Sequence, residues 1–86
     1  MPAAGRPGRV YTWAEIEDAV FYEVTFVRNG RAFHAAQTAE PWLRVPDTLK
    51  FPRGTYRWSV RPAIADDSGI VVGDAVVVRT FRVGGG

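Results

Sequence analysis

The 86-residue chain contains no cysteine and a single histidine, His34. Disulfides and thiolate metal sites are thereby excluded, and one imidazole gives no basis for structural zinc. No apolar run approaches the ~20 residues that cross a bilayer as a helix, so no membrane insertion is expected. Helical periodicity is almost missing. The one candidate starts at Thr12-Trp13-Ala14-Glu15, which has the form of a capping box. A segment this short does not hold a helix alone, and Ala14 to Asp18 is read as a loop or one turn. The nine glycines are scattered or terminal and form no phosphate-binding loop.

What is present is apolar and aromatic. Hydrophobic residues make up 47% of the chain and aromatics 13%, too much for a disordered segment. The length fits one domain, which at this size buries roughly 60–65% of its unfolded surface. The formal net charge is +2, and nearly all the cations are arginine. They are dispersed among apolar and acidic neighbours, as on the solvated face of a sheet. A nucleic-acid groove needs clustering and a stacking platform, so no nucleic-acid partner is expected.

Outside that loop the sequence alternates with period two, the mark of half-buried strands. Arg9 to Trp13 is one strand, with Tyr11 and Trp13 on one face. Ala19 to Arg28 is the next, with Tyr22, Val24 and Phe26 facing together. Asn29-Gly30 suits a two-residue type I′ turn. That turn fixes a register, setting Phe26 against Phe33, Thr25 against His34 and Val24 against Ala35. A short strand, Trp42 to Val45, lies between Pro41 and Pro46 and belongs at an edge. Thr55 to Arg61 alternates cleanly, with Tyr56, Trp58 and Val60 on one side. Asp66 to Gly69 reads as a turn. Ala75 to Val83 closes the chain, with Phe81 and Val83 inward and Ile70 to Gly73 a bulge or the start of that strand. Short strands at this spacing, punctuated by glycine and proline, predict an all-β fold: an antiparallel two-sheet β-sandwich of about six or seven strands.

Four segments carry a resemblance to a known family. They are Trp13 at the end of an early strand, Ala19 to Val24, Pro52 to Val60, and Thr80 to Val83. Their order and spacing resemble fibronectin type III (immunoglobulin-like) modules of bacterial surface and secreted proteins. The resemblance implies that the Tyr56 hydroxyl anchors to nearby backbone at a corner. It also implies a first strand before Arg9, although residues 1–8 hold two prolines and two glycines. The expected organisation is a flexible segment over 1–8, a fibronectin type III-like domain over 9–83, and a glycine linker over 84–86. Residues 1–8 have no apolar core and do not read as a signal peptide. Either the chain is cytoplasmic or, as the trailing glycines favour, it is a piece of a longer exported protein, extracellular, at the cell surface or periplasmic.

Chemistry is sparse. His34 lacks a positioned partner and is expected on the solvated outer face beside Thr25 and Ala36. Neither serine, Ser59 or Ser68, sits in a nucleophile elbow. Asp66, Asp67 and Asp74 form the densest oxygen cluster, but backbone demands of a turn account for the same letters. No enzyme activity, metal or cofactor is expected. Trp13, Tyr22, Phe26, Phe33, Tyr56, Trp58 and Phe81 take inward parities. Trp42 does not, and is placed at an edge or facing outward, with Phe21 a second outward aromatic. The candidate contact surface is therefore Trp42, Phe21, Glu23, His34, Arg57 and Arg61. The function expected is a non-catalytic spacer or protein-interaction module, monomeric, whose partner is another protein or a neighbouring domain of the same chain. The alternatives are a carbohydrate-binding module that stacks polysaccharide on Trp42, and an accessory domain of a multidomain enzyme.

Overall fold

The computed structural model describes residues 9–84 of the chain. The expected flexible segment, the family's first strand and the last two linker glycines lie outside them. Seven strands follow in order: β1 (Val10–Thr12), β2 (Ala19–Arg28), β3 (Arg31–Thr38), β4 (Trp42–Arg44), β5 (Gly54–Asp66), β6 (Gly69–Val72) and β7 (Val77–Val83). There is no helix among the described residues. All pairings are antiparallel. β1 and β4 make a two-stranded sheet, while β3-β2-β5-β6 make a larger one in which β7 also pairs with β5.

The two sheets meet through rings. Tyr11 of β1 lies edge-on to Phe26 and Trp58, each at 5.1 Å, and Trp13 packs on Tyr22 at 5.4 Å. Tyr22, Val24, Phe26, Trp58 and Val60 of the larger sheet are buried with Tyr11 and Val45. The period-two assignment of these residues to one face holds. The Tyr56 hydroxyl donates to the carbonyl of Pro52, the backbone anchor that the resemblance implies, and the ring stacks on Phe81 at 5.0 Å.

Asn29 and Gly30 form the two-residue turn, at φ of 49° and 81°. Both values belong to a type I′ turn, whose twist matches that of the strands. The expected register survives only beside it, at Arg28 with Arg31 and Val27 with Ala32. A bulge then interrupts the ladder, and Phe26 pairs with His34, Thr25 with Ala35 and Val24 with Ala36. Phe33 is the extra residue. A bulge sets two residues against one, so Phe33 and His34 both oppose Phe26. Phe33 still reaches the core, 5.2 Å from Tyr56 and 5.6 Å from Phe51.

β5 runs well past the expected Arg61, through Pro62 to Asp66. Proline in a central strand removes a ladder donor. Here β7 pairs with β5 up to Val60, and β6 pairs from Ala63 onward. Pro62 sits at the break between them and needs no N–H there, while its carbonyl accepts from Gly73 N–H at 2.8 Å. Ile70 to Val72 thus belongs to a strand of its own, and the closing strand starts at Val77 instead of Ala75.

Candidate binding surface

On a flat antiparallel sheet, residues facing one another across strands line up in rows on one face. Three rows cross the outer face of the larger sheet. Gln37, Glu23 and Arg61 form the first. Ala35, Thr25, Ser59 and Val78 form the second, and Ala32, Val27, Arg57 and Thr80 the third. Phe21 faces Ala63 and Val72 one row further along. A bulge between Ala19 and Phe21 precedes that row. Phe21 is half-buried in it, less exposed than an outward aromatic would be.

Four of the six expected contact residues therefore share one face: Phe21, Glu23, Arg57 and Arg61. His34 does not join them. The bulge turns it to the core side, where it is half-buried with its ring 5.8 Å from Phe26. The expectation that it is a solvated outer-face residue is corrected, because a one-residue slip moves every following side chain to the other face. Trp42 is separate as well. It pairs with Thr12 on the two-stranded sheet, whose neighbouring pair Tyr11 and Leu43 faces the core. Trp42 accordingly points away from the sandwich and is 46% exposed. The candidate surfaces lie on opposite sides of the molecule.

The charges of the larger face are not neutralised by one another. The one ion pair among the described residues joins Arg44 Nη2 to Asp47 Oδ1 at 3.8 Å, so Glu23, Arg57 and Arg61 present unpaired charge to solvent. Near the hairpin turn the face dips into an open depression of about 200 Å³, lined by Val27, Asn29, Gly30, Thr55, Tyr56, Arg57 and Thr80. Thr80 and Val78 were missed as surface candidates, though alternation outward from Phe81 points to both.

Among the described residues, no three His, Cys, Asp or Glu side chains come together as metal ligands. At the Asp66 turn, the carboxylate Oδ1 accepts from Ser68 N–H at 2.7 Å, the backbone role that a turn asks of aspartate. Two tyrosine hydroxyls are raised above their ordinary pKa. Burial is the main cause for both, with Arg9 drawing Tyr11 part-way back and Arg28 drawing back Tyr56. Neither faces a nucleophile or a base, and both belong to the core. Among the described residues no helix is long and apolar enough to cross a membrane. No family model, curated protein or solved structure matches the chain.

Proposed function

We propose that the chain is a non-catalytic fibronectin type III-like module of a larger exported bacterial protein. It contacts a protein partner or a neighbouring domain through the outer face of its five-stranded sheet. The observation that carries this reading is the row arrangement of that face. Glu23, Arg57 and Arg61 stand unpaired on adjacent strands, interleaved with Thr25, Ser59 and Thr80. Such a surface offers charge and hydroxyl groups side by side on neighbouring strands, which suits steering and orienting a protein contact. It offers no shielded site for acid–base chemistry.

A second reading rests on Trp42. An exposed indole stacks on sugar rings, and Thr12 and Arg44 beside it supply polar contacts. Flat polysaccharide sites use several aromatics in a strip, and among the described residues Trp42 is the only one placed on this face.

The two readings separate in one experiment. Arg57→Ala and Trp42→Ala are compared for retention on cell-wall polysaccharide and for binding to the adjoining domains of the full-length protein. The main reading expects Arg57→Ala to weaken the protein contact and Trp42→Ala to leave it unchanged. Loss of polysaccharide retention with Trp42→Ala alone would replace it with the carbohydrate reading.

A further inference from the structure

The two sides of β5 are treated differently. Along β2 it is covered for most of its length, but the β5–β6 hairpin runs beyond the start of β2, whose Ala19 pairs with Ile64. β6 is consequently an edge strand exposed on both faces, with Ile70 58% and Val71 54% exposed. Edge strands are ordinarily protected by lysine, proline or inward charge. β4 lies between Pro41 and Pro46, and β7 carries Arg79 and Arg82. β6 has none of these devices. Gly69-Ile70-Val71-Val72-Gly73 is uncharged, β-branched and close to a palindrome about Val71.

We infer that β6 pairs with β6 of a second copy of the chain, with Val71 on the twofold axis. The backbone sets this register. The loop of the β5–β6 hairpin has two residues, so the flanking pair Asp66 and Gly69 exchanges hydrogen bonds. Gly69, Val71 and Gly73 then turn their peptide groups toward β5, as the Gly73 N–H to Pro62 carbonyl bond shows. Ile70 and Val72 turn theirs to the free edge. A twofold axis at Val71 sets Ile70 against the partner's Val72, and the reverse, so that each pair exchanges two N–H···O bonds. Gly69 meets the partner's Gly73, where no side chains collide.

Charge fits the same arrangement. An isologous interface opposes identical surfaces, so any charge at its centre would face its own kind. β6 contains no charge. The nearest carboxylates, Asp67 in the hairpin turn and Asp74 beyond Gly73, lie outside the paired segment. The contact is small compared with the ~1,000 Å² of a stable interface, so the dimer is weak, with Kd of about 10–1,000 μM. This replaces the monomer expected from the sequence and is independent of the proposed partner face, which lies on the flat of the sheet.

The test uses the natural absence of cysteine. Residues opposed in a non-hydrogen-bonded pair have Cα atoms about 4.5 Å apart, within reach of a disulfide. Under mild oxidation, Val71→Cys is expected to cross-link into a dimer many times faster than Val78→Cys, an exposed control on β7. Sedimentation of the unmodified chain should show a reversible dimer on approaching about 1 mM, the weak end of that range. Val71→Lys, which sets two cations together on the axis, should abolish it while the melting temperature stays near that of the parent. Equal cross-linking by the two cysteine variants, a monomer at the highest concentration, or assemblies growing beyond two chains would overturn the inference.

Discussion

Tyr11 and Tyr56 are both buried, yet their hydroxyls have opposite fates. That of Tyr56 donates to the Pro52 carbonyl, whereas that of Tyr11 is enclosed without a partner among the described residues. A buried hydroxyl stabilises only when it is bonded. Tyr56→Phe is therefore expected to lower stability by about 1 kcal/mol, and Tyr11→Phe to leave it unchanged or raise it. Urea denaturation of both variants checks the contrast, and a loss as large for Tyr11→Phe would refute it. The same burial sets a pH dependence. Both folded-state pKa values lie above the ordinary one, so the folded chain holds these protons more tightly than the unfolded chain. Their contribution is fully present below pH of about 10 and is lost as pH rises through the folded values. The denaturation midpoint should fall as pH rises above about 10, and less steeply in Tyr56→Phe.

At the scale of elements, the segment between β4 and β5 has no ladder of its own and is held by side chains from outside it: Tyr56 bonds the Pro52 carbonyl, Arg28 that of Arg53, and Arg9 the first half of the segment. Arg9 donates to the carbonyls of Pro46 and Leu49, at 3.2 and 2.6 Å, and its guanidinium lies 5.3 Å from the centre of the Phe51 ring. Phe51 in turn fills the space between Phe26, Phe33, Tyr56 and Phe81. Arg9→Ala removes charge-assisted bonds and a cation–π contact, and should cost about 2–3 kcal/mol. Hydrogen exchange should quicken first at Leu49, whose N–H bonds to the Pro46 carbonyl, while the β2–β5 ladder stays protected. Uniform loss of protection would mean that the segment has no separate stability. Phe51 was not among the expected core aromatics. Turn residues surround it, and no alternation marks a side chain that enters the core from a loop.

For the whole molecule, the core depends on contact between a two-stranded sheet and the centre of a five-stranded one, with Trp58 beneath Tyr11 and Trp13. Trp58→Ala removes the largest side chain at that junction and should cost about 3–5 kcal/mol. Total stability in small domains is about 5–15 kcal/mol, so the variant should melt many degrees lower or fail to fold. A melting temperature within a few degrees of the parent would mean that the two sheets are held together elsewhere.

The sequence by itself determined the all-β class, the Asn29-Gly30 turn, the extent of β2 and the inward set Tyr22, Val24, Phe26, Tyr56, Trp58 and Val60. Each of these follows from local rules, namely the two-residue period of a strand and the positive φ that asparagine and glycine tolerate. Only the tertiary structure decided that Phe33 is a bulge residue and His34 therefore faces the core, since the core's demand for Phe33 overrides strict alternation. It also decided that β5 passes through Pro62, which depends on where two other strands end. Trp42 and Arg57 fall on opposite sides of the molecule for the same reason: period two assigns a residue to a face of its own strand, but the pairing of distant strands decides where that face points.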